Sequence, residues 1–201
     1  ASNTSSMEVN HVKVSLYNHC PVGILLDSEI LAQAPMRMLW AGLGDMVAKY
    51  ISVCEWRIAN LLVGEYYCPE IAQLVRSAVK QCADHADGLL KGEPDAVMAV
   101  FDGLIIGGVA MNYAGLSRPA SGVEHYISHV LDMRGAEFGT TVDLHGIQCA
   151  IGTRLAVGLY GAIKSLKPDS EAAIAAVKAF DADSWNETLR TFLGTGAEAM
   201  I

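Results

Sequence analysis

The period of the apolar positions changes once along this chain, near residue 35. Before it, Val12-Lys-Val-Ser-Leu16 alternates apolar and polar residues, and Val22-Gly-Ile-Leu-Leu26 is a short apolar run between Pro21 and Asp27. Both patterns predict strands joined by a turn, followed by a short helix over Ser28–Gln33 that Pro35 stops. Two strands alone do not make a stable sheet, so this part is expected to be the tail of a larger one. After Pro35 the helical period takes over. It predicts a short turn at Pro35–Trp40, a break at Gly42-Leu-Gly44, and helices over Asp45–Leu62, Pro69–Leu90 and Asp95–Tyr113. A helix carrying His125 follows, then a break at Gly135–Gly139, a helix over His145–Leu166 and two short terminal helices. The expected fold class is mainly α, a bundle-like helical domain over 34–201. A short β fragment, left from an α/β domain, occupies 1–33.

Composition sharpens this. Hydrophobic residues make up 52% of the 201 and charged residues 18%, with mean hydropathy +0.29. Such a chain buries its helices on more than one side, and self-association into a homo-oligomer is an expectation. The strongly apolar helices Asp95–Tyr113 and His145–Leu166 are expected to be core. A net charge of −8 argues against nucleic acid and anionic membranes as partners. No membrane span is expected: the apolar run Ala96–Met111 is short and contains Asp102. The first residues lack the basic and apolar regions of a signal peptide. Five cysteines without CxxC spacing read as reduced core thiols of a cytoplasmic protein.

The chemistry concentrates in Gly115-Leu-Ser-Arg-Pro-Ala-Ser-Gly-Val-Glu-His-Tyr-Ile-Ser-His129. A polar, glycine-bearing loop runs into a helix on which His125 and His129, four apart, share a face. Ser117, Ser121 and Gly122 are residue types that cap helices and leave N–H groups for an anion. His145 opens the next apolar helix, and Asp45 follows Gly42-Leu-Gly44 in what reads as a first helical turn. Each of these residues alone is more often a cap or a satisfied histidine. Together, one carboxylate and two imidazoles form the ligand set of a catalytic divalent metal.

Ala41-Gly-Leu-Gly-Asp-Met-Val-Ala-Lys-Tyr50, Ser117-Arg-Pro-Ala-Ser-Gly-Val-Glu-His125 with His129, and Leu144-His-Gly146 resemble three signature blocks of the sn-glycerol-1-phosphate dehydrogenases. That family lies within the iron-containing alcohol dehydrogenase, glycerol dehydrogenase and dehydroquinate synthase superfamily. The resemblance implies that Asp45, His125 and His145 hold a metal, zinc before nickel or iron. It also implies that His129 serves proton relay or substrate contact, and that Lys49 replaces a further histidine ligand of the iron enzymes. The implied reaction is NAD- or NADP-dependent reduction of dihydroxyacetone phosphate, a phosphorylated triose. The substrate would meet Asp45, Lys49, Arg118, Ser121 and His129. Nothing in the sequence resembles the family's Gly-Gly-Gly nucleotide loop, and Gly107-Gly108 lies inside an apolar helix pattern. The chain therefore resembles the C-terminal metal-binding part, residues 1–33 being a remnant of the nucleotide domain. Two alternatives stay open: a glycerol or other alcohol dehydrogenase of the superfamily, and a non-catalytic helical metal-binding or oligomerisation module. Dehydroquinate synthases have a glutamate where Asp45 stands.

Overall fold

The computed structural model describes residues 2–201; Ala1, the start of the expected β fragment, lies outside the described residues. The described chain is mainly helical behind an N-terminal hairpin. The hairpin pairs β1 (Thr4–Val9) with β2 (Val12–Tyr17) in antiparallel register, Thr4 opposite Tyr17 and Val9 opposite Val12. Asn10 and His11 turn it, both at positive φ (52° and 63°), the mirror-type two-residue turn that suits the twist of paired strands. The expected partner of β2 is thus corrected. Val22–Leu26 forms no strand, and Val22 and Leu25 are exposed; Pro21 and Gly23 weaken that run, while β1 already occupies one edge of β2.

After α1 (Ser28–Ala32, capped by the Asp27 carboxylate) comes α2 (Met36–Val63), 28 residues without interruption. The expected break at Gly42-Leu-Gly44 is absent. Those glycines lie inside the helix, where they serve packing rather than termination. Asp45 therefore stands more than two turns inside α2, not in a first turn. Gly64, at φ 72°, ends the helix in the left-handed conformation. Then α3 (Pro69–Asp84) stops earlier than expected at His85, and α4 (Ala86–Leu89) is a separate turn. Next come α5 (Pro94–Ala114), α6 (Val123–Phe138), α7 (His145–Lys164), α8 (Ser170–Lys178), α9 (Ala182–Leu193) and a closing 3₁₀ turn at Gly194–Ala199. Helix α6 continues through Gly135 and stops only at Gly139, at φ 65°.

The main core lies between α2, α3 and α5, around Trp56, Val75, Val79, Val97 and Val100. Helix α5 fits the expectation of core, burying residues along most of its length. Helix α7 does not: Val157, Leu159 and Ile163 are exposed. Both helices are long and apolar enough to cross a bilayer, although the run Ala96–Met111 alone argued otherwise. In this structure α5 packs against α2 and α3, while α7 packs against α2 and α6. The hairpin rests on α6 and the end of α9 through Val12, packed on Met133 and Leu193, and on α6 through the Lys13–Asp132 ion pair at 3.0 Å.

Candidate metal centre

Three helices meet because glycines let their backbones approach. A Cβ on Gly44 would collide with the carbonyl of Gly146, and one on Gly146 with the carbonyl of Ala41. On the other side of α7, a Cβ on Gly152 would lie 2.6 Å from the carbonyl oxygen of Glu124. So α2 crosses α7 at Gly44/Gly146, and α6 crosses α7 at Glu124/Gly152. The neighbours Asp45, His125 and His145 are carried into one place. Helix α5 adds Gly107, where a Cβ would lie 2.8 Å from Lys49 Cε; the missing side chain is the space that Lys49 fills.

Asp45 Oδ1 lies 3.3 Å from His125 Nε2 and 4.0 Å from His145 Nε2. The other carboxylate oxygen, Oδ2, accepts from Lys49 Nζ at 2.8 Å, and Lys49 is buried. The same ammonium donates to the Asp45 carbonyl at 3.0 Å. A fourth donor joins them: Cys149 Sγ, 3.5 Å from His145 Nε2, with all four ligand atoms within 4.8 Å of one another. Of the cysteines expected to be core thiols, Cys82 and Cys149 are buried, Cys54 is exposed and Cys20 and Cys68 are half-buried; that reading did not place Cys149 beside the histidines. The signal was present in its position four residues after His145, on the same helical face.

The tautomers follow from hydrogen bonds further out. His125 Nδ1 faces Glu124 Oε1 at 2.9 Å, and a carboxylate only accepts, so Nδ1 carries the proton. Gln148 Nε2 donates to Asp132 Oδ1 and to the Asp143 carbonyl, which fixes its Oε1 as an acceptor. Ser128 Oγ donates to that Oε1 at 3.0 Å and so accepts from His145 Nδ1 at 2.9 Å. Both imidazoles then present Nε2 lone pairs to the Asp45 carboxylate. Three acceptors aimed at one point need positive charge between them, either a proton or a metal cation. A tetrahedral ion about 2.0–2.3 Å from N, O and S donors would hold them roughly 3.3–3.6 Å apart; two pairs lie at 3.3 and 3.5 Å, Asp45 and His145 at 4.0 Å, and all four within 4.8 Å, so a bound ion would draw the wider pairs in. The residues fit a divalent metal. In its absence the same pressure appears as proton affinity. Burial opposes charge on His125, but hydrogen bonds to Asp45, Cys149 and Glu124 raise its pKa well above the ordinary value. Burial would raise Asp45 too; the Lys49 charge and the His125 contact instead hold its carboxyl far below the usual range.

The centre opens into a cavity of about 600 Å³ whose far wall is the hairpin. His129, Ser121 and Arg118 all line it. The His129 ring stacks on that of His145 at 6.2 Å, and its Nε2 is 3.4 Å from Ser6 Oγ. Burial, then the His125 and His145 charges, lower its pKa to about 4, so the ring is neutral at pH 7. Arg118 is engaged: Nε and Nη2 fork onto Glu65 Oε1 and Oε2 at 2.9 and 3.0 Å. The loop N–H groups expected to stay free for an anion are also used. The Gly122 N–H goes to Glu124 Oε1, that of Val123 to Glu55 Oε2, and that of Ser121 to the Ser117 carbonyl. Gly122 caps α6 without any side chain. Glu124, adjacent to His125, and Glu55, which also accepts from Tyr160 Oη at 2.6 Å, are partners that residue-by-residue reading did not find.

No family model matches the chain. Among curated proteins, it is 36% identical over 148 residues to glycerol-1-phosphate dehydrogenase (NAD(P)+) of Bacillus licheniformis, covering 74% of this chain and 37% of that protein. The enzyme of the same name from Methanosarcina mazei is 37% identical over 161 residues, 80% of this chain and 44% of the relative. That of Hyperthermus butylicus is 39% identical over 141 residues, 70% and 39%. The chain thus spans about two fifths of the length of the curated relatives it matches. With this identity over most of its own residues, the chain belongs to the glycerol-1-phosphate dehydrogenase family as a partial counterpart of its members.

Proposed function

We propose that this chain is the metal- and substrate-binding half of an NAD(P)-dependent sn-glycerol-1-phosphate dehydrogenase, an enzyme that reversibly reduces dihydroxyacetone phosphate. In this reading, residues 34–201 form the metal and substrate domain and 1–33 are the edge of the nucleotide domain. The observation that supports it is the meeting of Asp45, His125 and His145 at the glycine crossings, in a family whose named activity is this one. A divalent ion bound there, zinc before nickel or iron, would supply Lewis acidity toward a substrate oxygen. The chain's own residues do the rest. Glu124 and Ser128 fix the two imidazoles with Nε2 toward Asp45, and Lys49 fixes the carboxylate. His129, neutral and on the cavity wall, is placed to exchange a proton with a substrate hydroxyl. A cytoplasmic setting belongs to this reading, on cysteines that show no CxxC spacing in the sequence.

A second reading has its own observation. The lysine and arginine of the cavity wall, Lys49 and Arg118, are each paired with a carboxylate. The wall is otherwise rich in hydroxyls, from Thr4, Ser6, Ser15, Ser117 and Ser121. That lining suits an unphosphorylated polyol, as in a glycerol or other alcohol dehydrogenase. Calorimetric titration of the zinc-loaded chain with dihydroxyacetone phosphate and with dihydroxyacetone separates the two. Tighter binding of the phosphate ester, weakened by Arg118→Ala, is the expected outcome. Equal binding of both compounds favours the second reading. A chain that takes up no metal, or whose uptake survives both Asp45→Ala and His125→Ala, overturns the dehydrogenase site.

A further inference from the structure

We propose that Cys149 is a fourth protein ligand of this centre, making it a thiolate-bearing site that prefers a thiophilic divalent ion such as zinc or cadmium over magnesium or manganese. The inference rests on the reading that Asp45, His125 and His145 bind the metal, and adds a donor of a different chemical class. Cys149 follows His145 by one helical turn on α7, so the same crossing that delivers the imidazole delivers the sulfur. Its side chain is fully buried, and its Sγ sits 3.5 Å from His145 Nε2, the nitrogen whose lone pair is free because Nδ1 is tied to Ser128.

The contrast with Cys82 is informative. That thiol is equally buried but points its S–H at the Ala99 carbonyl, 3.2 Å away, and belongs to no group of metal-competent side chains among the described residues. Cys82 is a core thiol with a routine hydrogen bond. Cys149 shares its pocket with two imidazoles and a carboxylate, which together form the one metal-competent group among the described residues.

Coordination replaces the S–H bond by a sulfur–metal bond. The thiol proton leaves to solvent, as does any proton held by the imidazoles, and no electrons are transferred. A thiolate and the Asp45 carboxylate then neutralise a divalent ion, the two imidazoles remaining neutral. Two charged donors, one of them soft, favour zinc and cadmium over hard, oxygen-seeking ions. With four protein donors in place, a substrate oxygen would enter as a fifth, the expansion that catalytic zinc permits.

The test uses the full chain with cobalt as a spectroscopic probe. One cobalt per chain with a near-ultraviolet thiolate-to-metal charge-transfer band is expected. Cys149→Ser and Cys149→Ala should lose that band and keep weaker visible bands from the three remaining ligands, whereas Cys54→Ser and Cys68→Ser should keep both. Cadmium affinity should fall about tenfold or more in the Cys149 variants. Cadmium NMR of the unaltered chain, which needs no variant to fold, should show a thiolate-shifted resonance. Stoichiometric cobalt without the charge-transfer band, or a band that survives Cys149→Ser, overturns Cys149 as a ligand and leaves the three-ligand site standing. No metal uptake by a chain whose circular dichroism stays helical overturns both.

Discussion

The two halves of α7 are alike in sequence and opposite in fate. The first buries Gly146, Gln148, Cys149, Gly152, Thr153 and Ala156 against α2 and α6. From Val157 onward no residue of the helix is buried, although Val157, Leu159 and Ile163 are as apolar as anything before them. The glycines divide in the same way. Gly146 and Gly152 are places where another backbone touches the helix, whereas Gly158 and Gly161 have nothing within 4 Å of where a Cβ would be. Apolar composition makes a helix eligible for burial; a crossing helix at contact distance decides where burial happens.

The strongest way to break this contrast is Gly146→Ala. The added carbon meets the Ala41 carbonyl, so α2 and α7 must move apart, with an expected loss of about 3 kcal/mol or more in urea unfolding and loss of metal uptake. Unchanged stability would mean that the crossing is looser than described. Next in size is Glu124→Gln, which keeps the shape but removes the charge that holds the His125 tautomer. Metal affinity measured by calorimetry should drop about 10- to 100-fold with the helical content unchanged. In the exposed half the sign reverses. Gly158→Ala fills open space on a helix and should gain about 0.5–1 kcal/mol, read as a higher melting temperature. Smallest of all, Leu159→Lys should stay within about 0.5 kcal/mol of the parent, since it removes no packed side chain. A large loss there would show that this face is covered in solution.

Asp45, His125 and His145 were legible because their signature words survive in the sequence, and the structure brings them together. Their supports were not. Glu124 precedes His125 directly, yet neighbours in sequence point to different sides of a helix, and only the geometry shows the carboxylate curling back to Nδ1. Ser128 reaches His145 from the neighbouring helix α6, and Gln148 sets the direction of that bond by accepting from the Ser128 hydroxyl. Gly42 and Gly44 read as a helix break because glycine weakens helices in isolation. At the crossing the gain from close packing outweighs that cost, about 1 kcal/mol each. The hairpin was half-read: β2 was found, but its partner was sought on the wrong side. A two-residue turn at Asn10-His11 carries little apolar signal to mark it.

By itself the sequence determined the helical class, most helix ends, the family and three residues that the fold brings together, because capping, periodicity and short motifs act over a few residues. Tertiary structure alone decided that α2 runs unbroken, that half of α7 stays exposed, that Arg118 is tied to Glu65, and that Cys149 lies beside Asp45, His125 and His145. Each of these depends on which backbone comes within a few ångströms of which other. Contacts between residues dozens of positions apart are set by the packing of whole helices, and no local pattern carries them.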